Sequence, residues 1–145
     1  MRTLPPDPRH LIVACDGAAR GNPGPAGIGV HITTEDASPV AEIARGIGEA
    51  TNNVAEYTAV IEGLSLAQEL GARTVTLRSD SQLLVNQLTG RYRVKSPHLQ
   101  PLHRRARNLV AGFDRVSVEH VRRELNKEAD RLANEGVDAW LAGER

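Results

Sequence analysis

The sequence has little of several features that mark particular classes of protein. Its one cysteine, Cys15, excludes an internal disulfide and a zinc site built from cysteines. No apolar run approaches the ~18 residues that a membrane-spanning helix needs. Residues 1–6 also lack the apolar stretch of a signal peptide. These absences predict a cytoplasmic protein with no membrane partner, since a reducing compartment suits an unpaired thiol.

The length and composition fit one globular domain. A chain of 145 residues can bury about two-thirds of the surface that its unfolded form exposes, and can therefore build its own core. Hydrophobic residues make up 40% and charged residues 25%, which excludes a disordered or collagen-like chain. Residues 1–9 contain three prolines and few apolar side chains. We therefore expect a flexible tail at residues 1–9 and a single domain over residues 10–142.

Positive and negative charges balance over the whole chain but are unevenly distributed. Residues 91–123 carry nine basic and two acidic side chains, so this segment has a net charge of +7 and the remainder −7. A basic surface of this kind can bind a polyanion such as nucleic acid. A solvated helix face would give the same composition, so charge alone does not decide between them.

Apolar periodicity and turn residues predict five strands and four helices. The first strand is a continuous apolar run that ends in Asp16, as in strands buried on both faces. The glycines and prolines of residues 17–27 predict a hairpin turn. The strands are predicted at residues 10–16, 28–33, 40–46, 74–79 and 115–120, and the helices at 53–70, 81–88, 97–112 and 126–141. This order predicts an α/β fold: a mixed five-stranded sheet, three antiparallel strands and then two parallel ones, flanked by helices.

Four carboxylates stand where a charge needs a partner or a function. Asp16 and Asp80 each end a predicted strand, and ligand sites in open sheets gather at strand ends. Glu56 and Asp130 each lie in the first turn of a predicted helix. Each has an alternative explanation: a solvated strand end for Asp16, a helix cap for Asp80, a capping box with Asn53 for Glu56, and a dipole-favoured surface acid for Asp130.

Together, the four carboxylates predict a site for a hard divalent cation. Oxygen ligands suit Mg²⁺ or Mn²⁺ rather than zinc. Four carboxylates can hold two ions ~3.5–4 Å apart, the arrangement used for in-line phosphoryl displacement. Without the metal, clustered carboxylates repel one another, so some of their pKa values should rise.

Four motifs, taken in order along the chain, resemble those of type 1 ribonuclease H. They are Asp16-Gly17 with residues 21–27 (GNPGPAG), residues 51–56 (TNNVAE), residues 79–82 (SDSQ), and His120 followed by residues 126–130 (NKEAD). The resemblance extends from about His10 to Trp140. It implies the RNase H-like fold, whose order of strands and helices is the one predicted above.

The resemblance implies an endoribonuclease that hydrolyses the RNA strand of an RNA–DNA hybrid, leaving 5′-phosphate and 3′-hydroxyl ends. It implies two Mg²⁺ ions, with Mn²⁺ as a substitute, and four catalytic metal ligands: Asp16, Glu56, Asp80 and Asp130. His120 matches a loop histidine that the family uses in proton transfer or product release. Substrate-contacting positions of the family are matched by Asn22, Thr51, Asn52, Asn53 and Gln82.

The chain departs from many bacterial members between its two middle helices. Those members insert a basic helix and loop there, whereas only residues 89–95 separate Leu88 from Ser96 in this sequence. The chain therefore resembles the shorter subtype that lacks the basic protrusion. It has four aromatic residues and no tryptophan-lined channel, so binding would rest on Arg91, Arg93, Lys95 and residues 104–107.

Two alternatives to strict hybrid cleavage stay open. Some short members of the family also cut double-stranded RNA, which makes that duplex a second candidate substrate. A non-catalytic hybrid-binding module would need a broken set of carboxylates, and this sequence keeps all four. We expect a monomer, because the sequence has neither hydrophobic heptads nor an aromatic cluster.

Overall fold

The computed structural model describes residues 10–144. The predicted tail at residues 1–9 lies outside this range. The strands are β1 (His10–Ala19), β2 (Gly24–Thr33), β3 (Pro39–Ala50), β4 (Thr74–Ser79) and β5 (Arg115–His120). The helices are α1 (Asn52–Glu69), α2 (Gln82–Leu88), α3 (Gln100–Ala111) and α4 (Lys127–Ala139), with short helical turns at Arg123–Leu125 and Trp140–Glu144.

The five strands form one mixed sheet in the order β3-β2-β1-β4-β5. β2 pairs antiparallel with both β1 and β3, whereas β4 pairs parallel with both β1 and β5. This confirms the predicted α/β fold, with three antiparallel strands followed by two parallel ones. It also makes β1 and β4 neighbours, so the strand ends that carry Asp16 and Asp80 are adjacent.

Helices α1 and α4 cover opposite faces of the sheet. Alternate residues of a strand point to opposite faces, and in β2 the buried Ile28 and Val30 alternate with glycines. On the α1 side, a Cβ added to Gly63 would lie 2.9 Å from Val13. On the α4 side, a Cβ added to Gly29 would lie 2.0 Å from the carbonyl oxygen of Ala129. Each helix therefore approaches the sheet through glycine.

The hairpin between β1 and β2 is tighter than predicted. Strand pairing continues to Ala19 and Ala26, so the turn comprises residues 20–23 rather than 17–27. The small residues of this stretch fit the antiparallel ladder because helices pack closely over them. A Cβ on Gly17 would lie 2.3 Å from the backbone of Ala55 in α1.

The last helix also differs from its predicted bounds. α4 ends at Ala139, and Trp140 opens a π-helical turn instead of continuing the helix to residue 141. The indole side chain packs over β3, where a Cβ on Gly46 would lie 2.4 Å from that of Trp140. Within residues 10–144, no helix combines the length and the apolar character that a membrane crossing requires.

Candidate metal centre and nucleic-acid interface

The sheet topology places two carboxylates side by side at the carboxyl ends of β1 and β4. The helices on the two faces of the sheet bring two more carboxylates to the same place. Asp16 lies near the carboxyl end of β1, and Asp80 directly follows β4. Glu56 lies in the second turn of α1, and Asp130 lies in the first turn of α4. All four line one cleft of about 460 Å³.

Three of these carboxylates form a tight group. One carboxylate oxygen from each of Asp16, Glu56 and Asp80 lies within 4.8 Å of the other two. Asp130 lines the same cleft but stands outside this group, and its Oδ1 lies 3.9 Å from the Arg123 guanidinium. The donor set is made of oxygens alone, so it fits a hard cation such as Mg²⁺ or Mn²⁺.

The alternative explanation of Glu56 as part of a capping box is wrong. The N-cap of α1 is Thr51, whose hydroxyl accepts a hydrogen bond from the Val54 N–H at 3.2 Å. The helix begins one residue earlier than predicted, so the Asn53–Glu56 spacing does not match the cap. The Gly17 N–H instead faces the Glu56 carboxylate as a hydrogen-bond donor and lowers the pKa of that group, and the carboxylate lies beside Asp16.

The alternative explanation of Asp80 as a helix cap is wrong as well. Ser81 caps α2, since its hydroxyl accepts a hydrogen bond from the Leu84 N–H at 3.2 Å. The Asp80 carboxylate is therefore not required by the helix and lies with Asp16 and Glu56. The solvated strand end considered for Asp16 is also excluded, because this residue is 5% exposed.

Burial and mutual repulsion raise the pKa values of the grouped carboxylates. Burial, reinforced by Glu56 and then by Asp80 and Asp130, raises the pKa of Asp16 to about 9. Burial and repulsion from Asp80 raise the pKa of Glu56 to about 8, against the opposing hydrogen bond from Gly17. Burial also raises the pKa of Asp80, and Arg123 partly offsets this. A bound cation would relieve this repulsion, as expected for a metal site.

The asparagines near the start of α1 tie that helix to the β1–β2 turn. The Asn52 side-chain oxygen accepts a hydrogen bond from the Ala19 N–H at 3.1 Å, and the Asn22 side-chain oxygen accepts one from the Asn52 N–H at 3.0 Å. Asn52 lines the carboxylate cleft. Asn22, Thr51 and Asn53 line a second cleft, of about 490 Å³. The helix start thus contributes to both clefts.

Gln82 and His120 lie near Asp80, at the ends of the elements that follow and flank β4. Gln82 is exposed and opens α2, two residues after Asp80. His120 is exposed at the end of β5, in register with Ser79. Within the part of the chain described, His120 is not among the residues lining the carboxylate cleft, although it is close enough to Asp80 to lower the pKa of that carboxyl slightly.

Three polar side chains that line the carboxylate cleft were not predicted as site residues: Arg20, Arg123 and Asn134. Arg20 lies in the β1–β2 turn and pairs with Asp138 at 2.8 Å. Arg123 belongs to a segment that has the composition of a solvated loop. For Asn134 a signal was available, because it follows Asp130 by four residues and so shares its face of α4.

The basic segment forms a cleft of its own between the α2–α3 loop and α3. This cleft has a volume of about 720 Å³. Its lining includes Arg91, Arg93, Arg104, Arg107 and the exposed Tyr92, and none of its lining residues is acidic. Residues 89–99 separate α2 from α3, so no inserted helix stands between them. The chain lacks the basic protrusion, as predicted.

Comparisons with known proteins identify relatives over most of the chain. A family profile described as reverse transcriptase-like matches residues 14–136. The chain is 48% identical over 130 residues to the bifunctional protein Rv2228c of Mycobacterium tuberculosis, covering 89% of this chain and 36% of that protein. It is 49% identical over 123 residues to ribonuclease HI of Halobacterium salinarum, covering 85% of this chain and 62% of that protein. The chain thus spans only part of the length of these relatives.

A solved structure agrees with these sequence matches. The crystal structure of LC11-RNase H1 in complex with an RNA/DNA hybrid superposes with a TM-score of 0.86 at 42% identity. The match covers 90% of this chain and 99% of that one. Both the fold and the order of its elements are therefore shared with a hybrid-bound relative.

Proposed function

Because this chain belongs to the reverse transcriptase-like family and, within it, to the type 1 ribonucleases H, we propose that it hydrolyses the RNA strand of RNA–DNA hybrids. The observation that carries the proposal is the convergence of Asp16, Glu56 and Asp80 within 4.8 Å at the edge of the sheet. Three carboxylates held so close, with raised pKa values for all three, need a cation to remain charged together near neutral pH.

The metal proposed is Mg²⁺, with two ions in the site and Mn²⁺ as a substitute. Asp16, Glu56 and Asp80 would hold one side of the site, and Asp130 would complete it from α4. When bound, the ions supply Lewis acidity toward the scissile phosphate and the attacking water. Mg²⁺ suits this role because it accepts a few carboxylates and completes its shell with water and substrate phosphate.

The reaction transfers a phosphoryl group from a ribose oxygen to water. The water oxygen forms a bond to phosphorus while the bond to the 3′ oxygen breaks, which leaves a 5′-phosphate and a 3′-hydroxyl. One proton leaves the water, and one reaches the departing 3′ oxygen. We assign His120 to proton transfer, since imidazole can accept and donate protons near neutral pH. Its exposed position beside Asp80 supports this role.

The substrate contacts are proposed at the start of α1 and α2. Thr51 and Asn53 would bind a DNA phosphate, because the N–H groups at a helix N-terminus attract anions and α1 carries no acidic residue in its first turn. Asn22, Asn52 and Gln82 would reach the minor groove, where RNA displays its 2′-hydroxyls. The hydrogen bonds joining Asn22, Asn52 and Ala19 support a preformed surface for this contact.

The cationic cleft of residues 91–107 would hold the backbone of the bound duplex farther from the cut. Its four arginines can neutralise phosphates without reading sequence. The exposed Tyr92 adds a flat surface on which a sugar or base can pack. This cleft takes the place of the protrusion that longer relatives insert.

A panel of matched duplexes tests the proposed function. An RNA–DNA hybrid, a double-stranded RNA and a double-stranded DNA of one sequence, each end-labelled, are incubated with the protein and Mg²⁺. Cleavage of only the RNA strand of the hybrid supports the proposal. Equal cleavage of the double-stranded RNA would assign the broader specificity of some short members. No cleavage with Mg²⁺ or Mn²⁺ would overturn the proposal and leave a hybrid-binding module.

A further inference from the structure

Asn126 is a buried polar residue that no step above uses. It stands immediately before α4 and is 3% exposed. Its side-chain amide Nδ2 donates a hydrogen bond to the Cys15 carbonyl oxygen at 3.0 Å. Its Oδ1 is the one buried side-chain polar atom of the described residues without a hydrogen-bond partner. Buried polar atoms without a hydrogen-bond partner are rare in folded proteins. The presence of this one therefore calls for a structural explanation.

Helix capping is not the reason. Asparagine is among the best N-cap residues because its side chain accepts a hydrogen bond from the first turn. At Asn126 the side chain makes no such bond, although the residue occupies the N-cap position of α4. The amide orientation is fixed by its partner, since only the NH₂ group can face a carbonyl oxygen. The side chain therefore acts as a donor toward β1.

The acceptor lies where β1 extends beyond its neighbour. Parallel pairing between β1 and β4 ends at Ala14 and Arg78, one residue before Cys15. The Cys15 carbonyl belongs to the peptide group that leads directly into Asp16. The Asn126 side chain donates its hydrogen bond to this carbonyl from the start of α4. The peptide group that joins Cys15 to Asp16 is therefore tied to α4.

Asn126 also stands at the start of α4, the helix that carries Asp130. The backbone carbonyl of Asn126 accepts a hydrogen bond from the Asp130 N–H at 3.1 Å. Asn126 therefore contacts the peptide group next to Asp16 through its side chain and the Asp130 backbone through its carbonyl. Among the residues described above, only Asn126 forms hydrogen bonds both with the peptide group before Asp16 and with the backbone of Asp130.

We propose that Asn126 is a positioning residue that fixes Asp16 and Asp130 relative to each other so that they can share a metal ion. The proposal rests on the proposed function for the metal but concerns the geometry of the metal-free protein itself. It explains why an amide with an unpaired oxygen stands at a helix start where serine or aspartate would cap as well. Loss of the tether should weaken metal binding and slow the reaction without weakening substrate binding.

Two substitutions remove the hydrogen bond to the Cys15 carbonyl, one with and one without a residue that can cap α4. Asn126→Ser keeps a good N-cap residue, but its side chain is too short to reach the Cys15 carbonyl. Asn126→Ala also removes the tether, and it leaves a residue that cannot cap the helix. The matched control is Tyr57→Phe, which deletes another buried hydrogen bond, from the tyrosine hydroxyl to Gln87 Oε1 at 2.6 Å. Tyr57 contacts α2 and α3 rather than α4.

The readouts are the Mn²⁺ affinity without nucleic acid, by titration calorimetry, and kcat and KM on the hybrid. We expect both Asn126 variants to lose about tenfold to a hundredfold in Mn²⁺ affinity, as outer-shell substitutions do, with a matching fall in kcat and little change in KM. Tyr57→Phe should lower Tm to a similar extent and bind Mn²⁺ as the wild type does.

Unchanged Mn²⁺ affinity in Asn126→Ser, with a Tm loss like that of Tyr57→Phe, would overturn the proposal. Unfolding of both Asn126 variants would also overturn it, because the tether would then support the fold rather than the site. If the wild type cuts no hybrid but the Asn126 variants still lose Mn²⁺ affinity, the proposed function fails while the positioning role stands. The calorimetric readout thus separates the two failures.

Discussion

Burial and charge conflict most sharply at Asp16. The residue is 5% exposed and lies beside two other carboxylates. Burial, together with these neighbours, raises its pKa to about 9. An ionised carboxylate in that position destabilises the metal-free fold, because it loses hydration and gains only like-charged neighbours. Asp16 therefore lowers the stability of the metal-free fold above its ordinary pKa, which is consistent with the metal-binding role proposed for it.

This conflict predicts how the stability of the metal-free protein changes with pH. The folded-state pKa values of Asp16 and Glu56, about 9 and about 8, exceed their ordinary values of 3.8 and 4.5. Both groups then bind protons more tightly in the folded state. Their contribution to stability is fully present below the ordinary values and is lost as the pH rises through the folded-state values.

Asp16→Asn tests this prediction, because it removes the ionisable group, and with it the cost of burying that group above its ordinary pKa, and keeps the shape of the side chain. In EDTA at about pH 8, we expect the variant to be more stable than the wild type by about 1–3 kcal/mol. For a chain of this size, each kcal/mol corresponds to about 2–4 °C in Tm. Thermal unfolding from about pH 5 to about pH 9 measures both proteins. Parallel curves for the two would contradict the predicted effect of the buried charge.

At the scale of elements, the site depends on how closely two helices approach the sheet. Glycine removes the side chains that would hold them apart: Gly17 under α1, and Gly29 under α4. These close approaches determine where Glu56 and Asp130 stand relative to Asp16. Strand pairing alone positions Asp16 and Asp80. The four carboxylates therefore converge only if both helices pack at these distances.

Gly29→Ala tests the packing of α4. The added Cβ would lie 2.0 Å from the Ala129 carbonyl oxygen and 2.4 Å from the Ala133 nitrogen, so the helix must move. Overpacking of this kind costs about 1–3 kcal/mol, and the displaced Asp130 should lower hybrid cleavage. The control is Gly143→Ala, where a Cβ meets nothing within 4 Å. Denaturant unfolding and cleavage rates measure both; equal stability of the two variants would contradict the packing argument.

The sequence predicted the bounds of those elements that the local pattern of apolar and turn residues determines. Strands β4 and β5 have the predicted bounds, since each is a short alternating run between clear turn residues. The cap of α1 and the extent of the β1–β2 turn were missed, because both depend on tertiary packing. By sequence Asn53 is the stronger cap candidate, since asparagine is preferred over threonine at that position, yet Thr51 caps the helix. The glycines of the turn look like loop residues until α1 packs over Gly17.

For the whole molecule, the main feature is the separation of charge along a neutral chain. The carboxylate cleft and the cationic cleft of residues 91–107 stand at opposite ends of α2, which spans Gln82–Leu88. A helix of seven residues is about 10 Å long, so one bound duplex can reach both clefts. The net charge of zero conceals this division.

The salt dependence of hybrid binding tests the role of the cationic cleft. Bound phosphates release counterions, so affinity should fall as salt rises. Replacing Arg91 and Arg93 together with glutamine should lower the slope of log K against log salt by about one for each phosphate that is no longer neutralised. Arg73→Gln is the control, because that arginine pairs with Asp114 elsewhere. Fluorescence anisotropy measures the slopes. An unchanged slope in the double variant would mean that the duplex does not meet this cleft.

The convergence of carboxylates could be predicted from the sequence, but their supports could not. The motifs indicated Asp16, Glu56, Asp80 and Asp130, and a shared site for Asp16 and Asp80 required β1 and β4 to be neighbours, which only the structure shows. Arg20 and Arg123 line the cleft, and Asn126, although it opens the fourth motif, bonds to the Cys15 carbonyl 111 residues away. Such residues become visible only when the chain is folded.

The most direct test of the central claim is the cleavage of an end-labelled RNA–DNA hybrid by the wild type and by Asp80→Asn. The matched control is Asp114→Asn, at an exposed aspartate that precedes β5 and so lies at the opposite end of the sheet. We predict RNA fragments with 5′-phosphate and 3′-hydroxyl ends from the wild type and the control. Asp80→Asn should stay folded by circular dichroism and lose more than about a thousandfold in rate. Retained cleavage by purified Asp80→Asn would contradict the claim that these carboxylates carry the reaction.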